Sequence, residues 1–300
     1  MKESVLVTGA SGFIGRYVVD ALLMHGYKVT VLTHKGFLRP GCNAAAIRAD
    51  ICEEDMIQTV SRQINRCDVI VHLAADLNIL GSDQTILTNC LGTYHLLRLA
   101  KAVRAKKFIY MSSMPVIGTP KHIPVTEDHP VKPETLYHIT KYAGEQMALR
   151  EASAEMKAMA FRISSPIGVG MSERNFLSFL LRKCEKNETI ELYGEGSRIQ
   201  NYIDVRDVAL AVLNGIFAGD SGVYLIAGKK GITNRDLAFM CRQATGANAE
   251  IVWGKKEDPE EKCRWIVSGQ KAFEAFGFCP KHDLEETIRW IVDGQKKGEQ

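Results

Sequence analysis

The 300-residue sequence predicts an α/β protein, with a doubly wound parallel sheet followed by a smaller, mixed α/β C-terminal lobe. The first observation is that apolar runs of strand length alternate with amphipathic runs of helix length from the N-terminus onward. The second is that these strands are apolar throughout, which is typical of a sheet covered by helices on both faces. Together the patterns predict β-α-β units joined by right-handed crossovers.

The individual elements follow in order along the first half of the chain. Gly26 closes the first helix, a charged helix begins near Glu53, and a long helix ends near Val103. A further helix is predicted over residues 135–153. The predicted strands of the sheet are SVLVTG, KVTVLT, AAIRAD, DVIVHLAA, KFIYMSS and KAMAFRIS.

Composition and charge restrict the class of protein. With 46% hydrophobic and 24% charged residues the chain has the composition of soluble globular proteins, and its net charge of +3 is too small to indicate a nucleic-acid partner. We expect no secretory leader, and no apolar run approaches the roughly 18 residues that a membrane span needs. The eight cysteines are scattered without a C-x-x-C pair, which favours reduced thiols in the cytoplasm over disulfides or a metal site.

A glycine-rich turn, VLVTGASGFIGR, lies between the first strand and the first helix. Glycine permits positive φ and close backbone approach, and a helix N-terminus offers free N–H groups to a pyrophosphate. Because this turn follows a strand and opens a helix within a β-α-β unit, it predicts a Rossmann-type dinucleotide site. The predicted contacts at the turn are Gly9, Ser11, Gly12, Phe13, Ile14 and Gly15.

The end of the second strand bears on the choice between NAD and NADP. An acidic residue there would accept from the ribose 2′-OH of NAD, but the sequence has Thr33, His34 and Lys35. His34 and Lys35 therefore favour NADP over NAD. Asp50 is a candidate acceptor for the adenine amino group. The remaining predicted cofactor contacts are Ile51, Leu73, Ala74 and Ala75, of which the two alanines are small enough for close passage of the dinucleotide.

The pattern loosens after about Pro166, where the strands become short, as in IELYG and GVYLIAG. We therefore expect a dinucleotide-binding domain over residues 1–165, to which residues 200–220 return. Residues 166–300 are expected to form mainly a substrate-binding lobe.

Several motifs in order resemble the extended short-chain dehydrogenase/reductases, that is, the NAD-dependent epimerase/dehydratase family. They are TGASGFIG, VIVHLAA, NCLGTYHLLRLA, FIYMSS and YHITK. GEGSRIQNYIDVRDVALAVL and GVYLIAGKKGITNRDLA resemble that family's substrate-lobe signatures, so the resemblance covers nearly the whole chain.

Tyr137 and Lys141 are the candidate catalytic pair, because a helix makes residues four apart neighbours. A free tyrosine has a pKa near 10, so reaching about 7 needs roughly 4 kcal/mol of stabilisation of the phenolate. This stabilisation of the phenolate would come from Lys141, the helix N-terminus and an oxidised nicotinamide. The resemblance implies that Tyr137 is the acid/base, that Lys141 also holds the nicotinamide ribose, and that Ser113, or else Ser112, polarises the same oxygen. It also implies that Asn89 orders the active-site backbone beside the cofactor; the alternative is a helix N-cap.

The substrate is less defined. Where this chain has Ser113-Met114-Pro115, the sugar-nucleotide 4,6-dehydratases of the family that it resembles have Thr-Asp-Glu. Neither Met nor Pro transfers a proton, so dehydration is disfavoured. In the substrate lobe Ser165 stands for a family Asn, and Gln200 for an Arg that clamps a nucleotide diphosphate. Arg198 could substitute for that Arg. A nucleotide sugar and a smaller, less anionic substrate both remain open.

Three functions follow from the resemblance. The first is an NAD(P)-dependent oxidoreductase or epimerase that moves a hydride between nicotinamide and a secondary alcohol or ketone of a sugar or nucleotide sugar. The second is an NADPH-dependent reductase of a non-sugar carbonyl, and the third a dinucleotide-sensing protein without turnover. The resemblance also implies a homodimer that pairs through helices at 83–103 and 135–153.

Overall fold

The computed structural model describes residues 3–34 and 39–296. The strands are β1 (Ser4–Thr8), β2 (Lys28–Thr33), β3 (Ala45–Arg48), β4 (Val69–His72), β5 (Lys107–Ser113), β6 (Lys157–Ile163), β7 (Ser165–Ile167), β8 (Ile190–Leu192), β9 (Ile199–Asp204), β10 (Gly222–Ile226), β11 (Gly231–Thr233) and β12 (Ile251–Trp253). The α-helices are α1 (Phe13–Met24), α2 (Met56–Gln63), α3 (Asp83–Ile86), α4 (Gly92–Ala102), α5 (Leu136–Arg150), α6 (Phe176–Glu185), α7 (Val205–Phe217), α8 (Asn234–Thr245), α9 (Gln270–Phe276) and α10 (Leu284–Lys296).

Seven strands form one parallel sheet in the order β10-β6-β5-β4-β1-β2-β3. Val5 in the central strand β1 is in register with Val29 of β2 on one side and Val69 of β4 on the other. The chain therefore runs outward from β1 to β3 and then crosses to the opposite side at β4. The crevice outside the carboxyl ends of β1 and β4 is the switch point at which open α/β sheets bind ligands.

Helices cover both faces of this sheet, which confirms the predicted fold class. Val18, Val19 and Leu22 of α1 and Val208 and Val212 of α7 pack against one face. Side chains of α2, α4 and α5 pack against the other face, among them Val60, Leu96 and Ala148. Because both faces are buried, the strands need apolar residues at successive positions, as the sequence pattern indicated.

The smaller lobe contains the short strands. β9 lies between β7, which is parallel to it, and β11, which is antiparallel; β12 pairs with β8. Apolar residues of α6, α8 and α10 pack together there.

The last strand of the large sheet comes from the second half of the chain. β10 lies beside β6, although its sequence, GVYLIAG, was expected in the smaller lobe. Tyr224 and Ile226 are buried there against side chains of α7 and α9, and Leu225 is buried on the other face against Met114 and Val116. Residues 200–220 were predicted to return to the first domain. In this segment β9 belongs to the small sheet, whereas α7 packs against the large sheet. The domain boundaries themselves stay a prediction.

The long helix before Val103 is continuous over 83–102 but contains a π-helical turn, Leu87–Leu91, between α3 and α4. Ser82 caps its N-terminus by accepting from Thr85 N. Asn89 lies inside the π turn, so the alternative that it caps the helix is wrong. Among the residues that the structure describes, no helix is long and apolar enough to cross a membrane.

Candidate active site

A cleft of about 690 Å³ lies at the carboxyl ends of the central strands. It brings together residues that are far apart in the sequence, because parallel strands end at the same edge of a sheet. The predicted site residues that line it are Gly9, Ser11, Gly12, Phe13, Ile14, Gly15, His34, Asp50, Ile51, Leu73, Ala74, Ala75, Ser113, Tyr137, Lys141 and Ser165. Lys35 lies outside the described residues.

The glycine-rich turn forms one end of the cleft. Gly9 has φ +69°, and a Cβ there would lie 2.6 Å from the backbone nitrogen of Ala74. A Cβ on Gly15 would lie 2.1 Å from the carbonyl oxygen of Gly9. Gly12, the N-cap of α1, has no side chain to occupy the N–H groups of the first helical turn. The turn is therefore a backbone cradle that fits the pyrophosphate of a dinucleotide.

His34 and Asp50 form the next part of the cleft. His34 Nδ1 lies 3.3 Å from Asp50 Oδ2, and Asp50 Oδ1 accepts from Cys52 N at 2.9 Å. The Asp50 carboxylate is thus held in place by its own turn. Cys52, Gln84 and Thr88 also border the cleft here. Sequence reasoning missed these three residues, because no local pattern marks them.

The two serines at the end of β5 differ in their surroundings. Ser112 is buried and donates to Glu145 Oε2 at 2.7 Å. Ser113 is half-buried at the cleft. Both serines border the cleft, but their side chains point to opposite sides of the strand, because successive residues of a strand alternate. Because the Ser112 hydroxyl already donates to Glu145, Ser113 is the favoured candidate for polarising the substrate oxygen.

Tyr137 occupies the second position of α5, whose N-cap Thr135 accepts from His138 N at 3.2 Å. Burial raises the pKa of Tyr137 to about 12, and the Asp76 carboxylate adds to the rise. The residues of the chain alone therefore raise this pKa, because desolvation of the phenolate dominates. The lowering expected from Lys141, the helix N-terminus and an oxidised nicotinamide together stays a prediction.

Lys141 is 3% exposed, and its Nζ lies 4.2 Å from the centroid of the Tyr110 ring. Burial lowers the pKa of Lys141 to about 7, while Glu145 and Cys90 oppose that effect. The ammonium group therefore carries only part of its charge near neutral pH. Its cation–π contact with Tyr110 stabilises the charged form.

Glu145 continues the face of α5 that Tyr137 and Lys141 begin, at the same four-residue spacing. It is fully buried and forms a bidentate pair with Arg162, with distances of 3.0 Å to Nε and 2.7 Å to Nη2. Together with Ser112 this pair joins α5, β5 and β6 directly behind the cleft. Sequence reasoning missed Glu145, although the repeated spacing is a signal that could have found it.

Asn89 is buried and does not itself line the cleft, so any effect on a cofactor would pass through the backbone that it orders, as the resemblance implies. Its Oδ1 accepts from Asp76 N at 2.8 Å, and its Nδ2 donates to Asp76 O and to Thr140 Oγ1, both at 3.0 Å. The side chain thus ties the loop after β4 to α5. A polar side chain inside a buried π turn satisfies backbone groups of distant segments instead of facing solvent.

A second pocket of about 410 Å³ adjoins the cleft and contains the other predicted substrate residues, Arg198 and Gln200. Arg198 forms an ion pair with Glu260. With the Gln200 amide oxygen turned toward Arg198, it accepts from Nε at 2.6 Å and from Nη2 at 2.9 Å. Arg198 and Gln200 therefore share one face of the extended segment. The pocket borders on no residue of the glycine-rich turn.

The sequence profile of the "NAD dependent epimerase/dehydratase family" matches residues 5–227. The match spans the glycine-rich turn, the Tyr137–Lys141 pair and the return of the chain to the large sheet. The chain belongs to this family.

Curated relatives of this epimerase/dehydratase chain include enzymes with two named activities. A putative UDP-glucose 4-epimerase from Methanocaldococcus jannaschii is 28% identical over 270 residues, covering 85% of this chain and 87% of the relative. A dTDP-glucose 4,6-dehydratase from Streptomyces niveus is 28% identical over 298 residues, covering 92% and 88%. The chain is an enzyme of the extended short-chain dehydrogenase/reductase type.

A solved structure extends the likeness to the whole fold. UDP-glucose 4-epimerase from Thermotoga maritima, in a structure with UDP-glucose, has a TM-score of 0.89 and 26% identity, and the match covers 99% of this chain and 100% of that one. In this family member the described residues contain no group of three or more His, Cys, Asp or Glu side chains placed to hold a metal ion.

Proposed function

We propose that this enzyme moves a hydride between a nicotinamide dinucleotide and a secondary alcohol or ketone of a sugar, free or nucleotide-linked, with Tyr137 as acid/base. One observation supports the proposal most directly: Ser113, Tyr137 and Lys141 line the same cleft as the glycine-rich turn. The backbone cradle of that turn is formed at Gly9, Gly12 and Gly15. A dinucleotide bound there supplies the hydride acceptor or donor.

The chain's own residues have separate tasks in this proposal. The free N–H groups at the start of α1 hold the pyrophosphate, and Lys141 holds the nicotinamide ribose by family resemblance. Because its pKa is raised to about 12, Tyr137 is a protonated phenol at neutral pH and can donate its proton to a ketone oxygen. In the opposite direction it accepts the proton of a substrate hydroxyl. Ser113 donates a hydrogen bond to the same oxygen.

Dehydration is not part of the proposal. Met114 is buried and Pro115 lies between the cleft and the second pocket, and neither side chain can transfer a proton. Simple oxidoreduction, or epimerisation through a transient ketone, needs only the hydride and the Tyr137 proton. The relatives named as epimerases favour the second of these.

Turnover with Tyr137→Phe tests the proposal. We expect NAD(P)-dependent turnover on a panel of sugars, nucleotide sugars and non-sugar carbonyls to fall by about 10²–10⁴-fold, since proton transfer is lost. Dinucleotide binding should change little. Tyr193→Phe, an exposed tyrosine of the smaller lobe, is the matched control. Activity on non-sugar carbonyls alone would favour the reductase alternative, and a parent as inert as Tyr137→Phe would favour the sensor.

The preference for NADP is a separate prediction. No acidic residue occupies positions 33–35, and Asp50, the acidic residue nearby, is engaged by His34 and Cys52 N. A free 2′-phosphate would then meet a cationic or neutral environment. Titration of the protein with NADP⁺ and NAD⁺ should show tighter binding of NADP⁺, and His34→Asp should reverse the order. Equal or tighter binding of NAD⁺ by the parent would contradict the prediction.

We also propose a homodimer and a cytoplasmic location. The helices expected at 83–103 and 135–153 correspond to 83–102 and Leu136–Arg150. They carry exposed apolar side chains: Ile86, Leu87, Leu91, Tyr94 and Ile139. Exposed apolar patches on adjacent helices are typical of an interface. The cytoplasmic location rests on the eight cysteines, all of which are free thiols.

A further inference from the structure

We propose that Glu145 is a positioning residue, which fixes Ser113 and Lys141 relative to each other from behind the cleft. The inference rests on the proposed hydride transfer and adds a residue to it. Glu145 is fully buried and does not line the cleft, so it contacts neither substrate nor dinucleotide. Its effect on the reaction passes through Lys141 and through the strand that carries Ser113.

The connection between Glu145 and Lys141 is electrostatic. Glu145 follows Lys141 by one turn on the same face of α5, where Cβ atoms four residues apart are about 5–6 Å from each other. Both side chains are withdrawn from water, since Lys141 is 3% exposed and Glu145 is 0% exposed. Charges at such a site are weakly screened, so the carboxylate attracts the ammonium strongly. Burial lowers the pKa of Lys141 to about 7, and Glu145 opposes that fall.

The other titratable side chains around Lys141 contribute no charge. They come from β4, the π turn, β5 and α5 and are His72, Cys90, Tyr110 and Tyr137. Burial lowers the pKa of His72 to about 3, and it raises the pKa values of the thiol and of both phenols. All four are therefore neutral at neutral pH. Among the described side chains around Lys141, Glu145 supplies the negative charge.

The connection between Glu145 and Ser113 is a hydrogen bond to the preceding residue of the strand. Ser112 donates to Glu145 Oε2 at 2.7 Å, and Ser113 is the next residue and the last of β5. Arg162 donates to both oxygens of the same carboxylate, through Nε at 3.0 Å and Nη2 at 2.7 Å. These directional bonds hold the carboxylate in one orientation. The end of β5 is therefore fixed relative to the helix that carries Lys141.

Stability alone does not explain the ion pair between Glu145 and Arg162. Arg162 is 3% exposed, and its Nη1 has no hydrogen-bond partner among the described residues. Desolvation offsets most of the attraction within a buried ion pair, and well-packed apolar residues often join two elements equally well. An apolar side chain at position 145 would, however, leave the Lys141 ammonium without its negative neighbour. The charge of Glu145 is thus the property that the site uses.

The first experiment needs neither dinucleotide nor turnover. Lys141→Met is introduced into the parent and into Glu145→Gln, and denaturant unfolding measures the stability that each protein gains. At about pH 6 the gain should be at least tenfold larger in Glu145→Gln, measured in the folding equilibrium constant, because the ammonium has lost its partner. The two gains should converge above about pH 8, where Lys141 is neutral in both folded proteins.

Asp207→Asn is the matched control, because Asp207 is a buried carboxylate of α7 that pairs with His282 away from the cleft. It should lower stability without changing the gain from Lys141→Met. If Glu145→Gln does not fold, adding Arg162→Met removes the unpaired guanidinium, and the excess gain should remain. Equal gains in the parent and in the folded Glu145 variant at every pH would overturn the inference.

The second experiment separates the two connections in the presence of dinucleotide. In Glu145→Gln the pH above which dinucleotide binding weakens should fall by about one unit, because Lys141 loses its charge at lower pH. Ser112→Ala, which keeps the ion pair, should lower kcat and leave that pH unchanged. An unchanged pH of binding in Glu145→Gln would overturn the connection to Lys141, and an unchanged kcat in Ser112→Ala would overturn the connection to Ser113. Failure of the proposed function would instead appear as equal inertness of the parent and Tyr137→Phe, which leaves the unfolding experiment unaffected.

Discussion

Tyr137 and Lys141 lie one helical turn apart, and burial favours the uncharged form of both. It raises the pKa of the phenol to about 12 and lowers that of the amine to about 7. The pair therefore begins with the proton on the phenol, which suits reduction of a ketone. In the oxidation direction of the proposed reaction, an added positive charge would have to make the phenol acidic.

The lowered pKa of Lys141 gives the folded protein a pH-dependent stability. The unfolded chain has a lysine pKa near 10.4, above the folded value of about 7, so between these values the unfolded state binds more protons. Stability should therefore rise as pH rises from about 7 to 10. Below pH 7 Lys141 destabilises the fold by an amount on the order of 4 kcal/mol.

Lys141→Met should remove this dependence. We expect the variant to be more stable than the parent at pH 7, with a difference that shrinks toward pH 10, while turnover is lost. Denaturant unfolding of the nucleotide-free proteins across this pH range measures the difference in free energy of unfolding. Lys132→Met, at an exposed lysine, is the control. A constant difference between Lys141→Met and the parent would contradict the assigned pKa.

At the scale of elements, the turn between β1 and α1 depends on backbone proximity. The turn lies against the loop after β4, and Gly9 leaves no room for a Cβ next to the Ala74 nitrogen. Two strands can approach this closely at their carboxyl ends only if one side chain is absent. The turn that is proposed to receive the pyrophosphate therefore also packs closely against the loop after β4.

Gly9→Ala should weaken both functions of the turn. The positive φ costs about 1 kcal/mol, and the overlap with Ala74 adds to it, so we expect a loss of several kcal/mol and at least tenfold weaker dinucleotide binding. Gly41→Ala is a matched control, because Gly41 has φ +80° with nothing within 4 Å of a Cβ. Denaturant unfolding and dinucleotide titration measure the two variants. Equal destabilisation of both would show that close packing at Gly9 is unimportant.

At the scale of the whole molecule, two helices present an apolar surface beside the cleft. The π turn lies in the middle of the first helix, and Asn89 connects it to the loop after β4 and to α5. A dimer formed through these helices would hold the backbone around Tyr137 in place. Assembly and activity would then depend on the same elements.

Leu91→Glu combined with Tyr94→Glu should convert the proposed dimer to a monomer, because two carboxylates would be buried without partners. Sedimentation analysis would show the change in mass. Phe217→Glu is the control, since Phe217 is an exposed apolar residue on α7, away from these helices. A parent that sediments as a monomer would refute the dimer, and dissociation by Phe217→Glu would place the interface elsewhere.

The sequence alone was sufficient for features that depend on neighbouring residues. Apolar strands that alternate with amphipathic helices predicted the doubly wound sheet, and the glycine spacing located the turn that forms one end of the cleft. The Tyr137–Lys141 spacing placed both side chains on one helical face. These features follow from helix and strand geometry, which acts over a few residues.

Only the tertiary structure decided the properties that depend on distant segments. It placed β10 in the large sheet, paired Arg198 with Glu260, and buried Tyr137 and Lys141 so that their pKa values move toward the neutral forms. Burial and long-range ion pairs result from the packing of segments tens of residues apart. The charge on a side chain depends on that packing, and no local pattern of residues contains it.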